Sequence, residues 1–149
     1  MGRSQTTTTT PAGSEFSVTK SFTSSAIPNN TQTGGAVTGA STGALIIKKI
    51  TVNTNATGWA GPTNIEFSVD NVNGVTGVAA PIMLEVIASF GANLTSSSKD
   101  ATSNTLPMVL ETGKKIFIHG DDGAGTGAGT GSINITFQRV DNGASIAAA

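Results

Sequence analysis

Residues 44–53, Ala-Leu-Ile-Ile-Lys-Lys-Ile-Thr-Val-Asn, decide the fold class. The run is rich in Ile, Val and Thr, and branching at Cβ favours pleated backbone over helix. Leu45, Ile46 and Ile47 are consecutive apolar residues, which predicts a strand covered on both faces along its first half. The same strand character spreads outward with a period of two. Phe16, Val18 and Phe22 alternate with Ser17, Thr19, Ser21 and Thr23. Ile65, Phe67 and Val69 alternate with Glu66 and Ser68, and Ile133, Ile135 and Phe137 with Asn134, Thr136 and Gln138. Residues 106–111, 115–119 and 132–140 read as the last three strands.

Helix and strand compete only over residues 82–90, IMLEVIASF. Pro81 suits a helix start, but no capping box precedes it, and Ile82, Leu84, Val86, Ala88 and Phe90 keep period two. Strand is the reading. Residues 28–43 and 91–105 are loop material, and Asn73-Gly74 is a turn signal. The expectation is an all-β chain: an antiparallel β-sandwich or jelly roll of about seven or eight strands with an extended N-terminal arm. Residues 1–15 read as a flexible arm, 16–140 as the sandwich and 141–149 as a C-terminal tail.

A chain of 149 residues is one domain's worth and buries enough surface to fold without staples. It has no cysteine, which excludes disulfides and thiolate chemistry. Charged residues make up 11%, with a formal net charge of −1. The pairs Lys48-Lys49 and Lys114-Lys115, placed in alternating strands, send their charges to opposite faces instead of building a basic patch. Nucleic acid is therefore not an expected partner. No apolar run reaches the roughly 20 residues of a membrane helix, so no membrane is expected either.

The Thr-, Ser-, Gly- and Asn-rich composition suits a protein that works outside a cell. Met1-Gly2-Arg3-Ser4-Gln5 nevertheless lacks the apolar core of a secretory signal. Together these lead to the expectation of a protein made in a host cytoplasm and released by lysis, as on a virion surface. Residues 1–14 hold too little apolar surface to order alone. Their threonines favour extended backbone, so Thr6, Thr7, Thr8, Thr9, Thr10 and Pro11 are candidate partner contacts, as an arm added to a neighbour's sheet edge. Trp59, in a glycine-flanked loop, is a further candidate, as a contact anchor or a packing plug.

Catalytic and ligand motifs are weak. The stretch GDDGAGTGAGTG at 120–131 has phosphate-loop-like glycine spacing but no following helix and no Gly-Lys-Ser/Thr end. It reads as a flexible hairpin connection. Asp121 and Asp122 with Asp70 are the carboxylates that a calcium ion would need, if their loops met. His119 is the single histidine and reads as a rim residue; no G-x-S-x-G elbow accompanies it. Glu66, Glu85 and Glu111 read as outward, solvated residues. One Trp and no Tyr is a thin supply of sugar platforms. The start Met1–Thr6 formally fits a myristoylation pattern, without a second membrane signal. The sequons at Asn29, Asn55, Asn93 and Asn134 follow from composition. No catalysis, cofactor or metal is expected.

The stretches LIIKKITVNTNATGWAGPTNIEFSVD (45–70), LPMVLETG (106–113) and INITFQRV (133–140) resemble small β-sandwich structural proteins of tailed-phage virions, of the capsid decoration (cement) or head-fibre type. The resemblance covers about half of the domain and implies a non-catalytic protein that binds and stabilises the outer shell. Its implied partners are the major capsid protein or another shell protein and copies of itself, as a homotrimer. An extracellular adhesin or carbohydrate-binding β-sandwich module is the alternative.

Overall fold

The computed structural model describes residues 9–28, 35–54, 65–69, 86–90, 98–100, 106–120, 124–126 and 129–149. Among them are nine strands. They are β1 (Glu15–Thr23), β2 (Gly35–Ala36), β3 (Leu45–Thr54), β4 (Ile65–Val69), β5 (Val86–Phe90), β6 (Ser98–Asp100), β7 (Met108–Leu110), β8 (Ile116–Gly120) and β9 (Thr130–Arg139). One sheet runs β1-β9-β3-β6, with β7 also on β3, and the other runs β2-β8-β4-β5. Every pairing is antiparallel. β6 lies beside residues 51–53 and β7 beside residues 45–47, so the two are pieces of one broken strand along β3. Apart from the β4–β5 and β6–β7 steps, the chain changes sheet from each strand to the next. Of the two expected architectures, this strand order is the jelly roll.

β3 and β9 are the spine of the core. Leu45, Ile47, Ile50 and Val52 are fully buried, opposite Ile133, Ile135 and Phe137, and Ile65, Phe67, Ile116 and Ile118 of the second sheet complete the layer. The buried positions of β3 change parity, odd at 45 and 47 and even at 50 and 52. A β-bulge makes this possible: pairing passes from Ile47↔Phe137 to Lys49↔Thr136, and Lys48 is the extra residue. Lys48 and Lys49 are consequently both exposed, and the pair does not alternate as expected. Nor is the first half of β3 covered on both faces. Ile46 stands opposite Val109, which is 55% exposed, and is itself only half-buried.

Two loops carry more structure than their composition suggests. Residues 28–43 contain β2 and the bridges Thr38↔Ala148 and Thr42↔Ser145, and residues 91–105 contain β6. The Thr38 hydroxyl accepts from the Ile116 amide at 3.0 Å, which ties that loop to β8. Of the expected strand at 82–90, Val86–Phe90 is β5; residues 82–85 and the Asn73-Gly74 turn lie outside the described residues.

The expected boundaries of the sandwich move at both ends. Ala144 and Ile146 are buried in the core, and the Ala149 amide donates to the Val37 carbonyl at 3.0 Å. Residues 141–149 therefore belong to the domain and not to a free tail. Residues 9–14 also lie on the domain, hydrogen-bonded to residues 139–143.

Candidate functional site

Among the described residues, β1 is the outer strand of its sheet. It pairs with β9 over all nine positions without a register shift. Its outward face is Glu15, Ser17, Thr19, Ser21 and Thr23, all exposed. These extend a polar ladder across β9: Ser17 Oγ lies 3.3 Å from Thr136 Oγ1, and Asn134 Nδ2 donates to Thr19 Oγ1 at 2.8 Å. Its inward face is Phe16, Val18, Lys20 and Phe22, and these are only half-buried, unlike the inward residues of β3 and β9.

The segment before β1 is fastened to the turn after β9. The Gly143 amide donates to the Thr10 carbonyl at 2.7 Å, the Ala12 amide to Asn142 Oδ1 at 2.8 Å and the Gly13 amide to the Arg139 carbonyl at 2.7 Å. Gly143 has a φ of +72°, and a Cβ there would stand 2.9 Å from Thr9 Cγ2, so the turn favours glycine twice over. Arg139 joins these parts. Its guanidinium lies 4.2 Å above the Phe16 ring, donates to the Ala144 carbonyl at 2.8 Å and to Ser14 Oγ at 3.0 Å. Phe16 in turn stacks on Phe137 with ring centroids 5.5 Å apart.

Of the candidate contact residues, Thr9, Thr10 and Pro11 are thus exposed side chains on a backbone pinned to its own domain. Thr6, Thr7, Thr8 and Trp59 lie outside the described residues. Arg139 is the organising residue that sequence reasoning passed over. Its signal is its position, two residues after Phe137 on the same strand face and next to the turn Asp141-Asn142-Gly143.

Within the glycine-rich connection at 120–131, the described residues 124–126 are held against the chain, unlike a free hairpin tip. Ser24 Oγ donates to the Thr126 carbonyl, and the Gly125 amide donates to the Ile27 carbonyl at 2.8 Å. A Cβ on Gly125 would stand 1.7 Å from the Ser24 carbonyl oxygen. Glycine here serves close backbone approach within the chain. Asp121, Asp122 and Asp70, the carboxylates considered for calcium, lie outside the described residues. Among the described residues no three His, Cys, Asp or Glu side chains gather as metal ligands.

His119 is fully buried, which corrects the expectation of a rim residue. It stands on the face of β8 turned away from the inter-sheet core, in the register position opposite Glu66. The Ser68 hydroxyl, also fully buried, lies 3.3 Å from its Nε2. Burial lowers the His119 pKa to about 4, so the ring is neutral at pH 7. A hydroxyl beside a neutral imidazole has the composition of a nucleophile and its base. Enclosure of both leaves a substrate no access to the pair in this conformation. Glu111 is exposed as expected, and Glu85 lies outside the described residues.

No protein-family model matches this chain, and no curated protein matches it in sequence. A solved chain described as "Bacillus endospore appendages form a novel family of disulfide-linked pili" overlays 93% of this chain and 97% of its own length. The identity is 15% and the TM-score 0.31, too loose a likeness to bear on fold or function.

An open hollow of about 810 Å³ remains at the far end of β1, lined by Ser21, Phe22, Thr23, Asn53, Thr130 and Ser132. Its described lining is neutral, with hydroxyls and an amide around the Phe22 ring. Such a surface makes neutral hydrogen bonds and stacking contacts.

Proposed function

We propose that this chain is a non-catalytic virion structural protein, which oligomerises, as a trimer in the reading taken from its resemblance, and binds the outer surface of a phage capsid. The observation that carries this reading is the pinned N-terminal segment. Residues 10–13 are hydrogen-bonded to residues 139–143, so the described end of the threonine run is held at a fixed point next to β1. A tether so anchored loses less entropy on docking than one hung from a mobile end, and a threonine-rich sequence favours the extended backbone that strand addition to a shell protein needs. Repetition over a symmetric shell multiplies a modest contact into avidity.

The test is cosedimentation of the full chain with capsid shells that lack it, beside a variant without residues 1–8. Binding by the full chain and not by the variant, with both folded, is the expected result. Equal binding removes the arm from the account, and no binding by either removes the virion reading. The hollow favours the adhesin or carbohydrate-binding alternative, which predicts saturable glycan binding that Asn53→Ala weakens.

A further inference from the structure

Residues 16–22 read Phe-Ser-Val-Thr-Lys-Ser-Phe, which is a palindrome apart from Val18 and Lys20. This is the edge strand β1, and a palindrome on an edge strand has a geometric consequence. Two antiparallel copies related by a two-fold axis through Thr19 place each residue opposite a mirror position. Thr19 then faces Thr19 of the second copy, Ser17 faces Ser21, Phe16 faces Phe22 and Glu15 faces Thr23. We propose that β1 is a self-association edge, at which a second copy of this chain pairs antiparallel about Thr19 and joins the two β1-containing sheets into one.

Four observations carry the proposal. The register centred on a residue pairs odd positions with odd and even with even. Whichever set turns its amides and carbonyls outward therefore meets the same set of the copy. It also keeps faces aligned: the polar ladder Ser17, Thr19, Ser21 continues across the axis, and the apolar residues stay on the inward side.

Secondly, among the described residues the edge lacks the usual protection. Residues 15–23 contain no proline, pair with β9 without a bulge, and form a strand long for an edge at nine residues. The one lysine, Lys20, points inward, where its ammonium donates to the Ala149 carbonyl. No like charges meet in the paired register.

Thirdly, Phe16, Val18 and Lys20 are only half-buried, so apolar surface along this strip is still open to a partner. Finally, a cavity of about 300 Å³ lies between this strip and β2, lined by Lys20, Phe22, Ala26, Val37, Ile118 and Ile133. The register sets Phe16 of the copy next to Phe22 at this cavity, where aromatic cross-strand pairs stabilise an antiparallel ladder.

The contact rests on the structural reading above, names a second copy as the partner and, being two-fold, makes a dimer the unit where the resemblance implies a trimer. The chain has no cysteine, so single-cysteine variants report on it cleanly. Across the axis, opposed Cα atoms stand about 4.5 to 5.5 Å apart, within disulfide range. Residue 15 would sit roughly 27 Å from its own copy. Under mild oxidation, full-length Thr19→Cys is expected to form at least tenfold more covalent dimer than Glu15→Cys, and light scattering of the wild type to show a reversible dimer. Thr19→Lys sets like charges face to face on an exposed position, so it should stay folded and raise the dimer dissociation constant at least tenfold. A wild-type monomer at every concentration overturns the proposal, as does equal cross-linking at residues 15 and 19. A dimer linked through residue 19 without shell binding sinks the virion reading alone. Shell binding without that dimer sinks the edge contact alone.

Discussion

Ser68 Oγ and His119 Nε2 lie 3.3 Å apart on the face of β4 and β8 that is turned away from the inter-sheet core, and both side chains are closed to solvent. The contact ties two neighbouring strands by a diagonal polar pair, and burial holds its titratable group in the neutral form.

A pH dependence of stability follows. His119 has its pKa lowered by burial from 6.5 to about 4, so between these values the unfolded chain binds a proton that the folded chain refuses. This part of the stability is whole above pH 6.5 and is lost as pH falls toward 4. The loss at the acid end is about 3 kcal/mol. Urea titrations between pH 8 and 5 should show the decline beginning below 6.5. His119→Phe should flatten it, and an unchanged slope in that variant would show that other groups are responsible.

The bulge at Lys48 predicts that this position tolerates both substitution and deletion. Lys48→Ala removes only an exposed side chain and should change stability by less than about 0.5 kcal/mol. Deleting Lys48 removes the extra residue and leaves Leu45, Ile47, Ile50 and Val52 on one uninterrupted period of two, so the buried set of β3 stays inward against β9. Circular dichroism and proteolysis should find the deletion variant folded, whereas deletion of Ile50 from the same strand should unfold it.

Arg139 binds the Ser14 hydroxyl, the Ala144 carbonyl and the Phe16 ring at once. Arg139→Ala should cost roughly 2 to 4 kcal/mol, from two lost charge-assisted bonds and the cation–π contact. Arg139→Lys keeps the charge without the planar fork and should recover less than half. Thermal denaturation orders the three proteins, and hydrogen exchange should show residues 10–14 protected least in the alanine variant.

Gly125→Ala asks for a Cβ at 1.7 Å from the Ser24 carbonyl oxygen. Backbone on both sides must part, and a loss of roughly 2 kcal/mol or more in unfolding free energy is expected. Gly113 has a φ of +85° with open space around it. Gly113→Ala therefore meets backbone strain alone and should cost about 1 to 2 kcal/mol.

Removal of residues 144–149 strips Ala144 and Ile146 from the core and the bridge partners from Thr38 and Thr42. A cost of at least 3 kcal/mol is expected, measured by denaturant midpoint, where a free tail would cost nothing.

The strands with alternating or continuous apolar runs were legible because a period of two is written locally: Phe16 to Phe22, Ile65 to Val69 and Ile133 to Phe137 each declare their inward side without reference to the rest of the chain. That is why the all-β class and most strand positions could be read from the residues. The candidate site was less legible. Arg139 and the turn at Gly143 bind residues 9–14 from more than a hundred positions away, and no local pattern announces such a pairing.

From the sequence alone, then, came the strand periods, the lack of thiol chemistry and the near-neutral charge, since each depends on residue type and on neighbours at most a few positions away. Tertiary structure alone decided the jelly-roll order, the burial of His119, the parity change at Lys48 and the inclusion of residues 141–149. Each of these depends on which strand lies beside which, and strand pairing is settled by the burial of the whole apolar set at once, not by any strand in isolation.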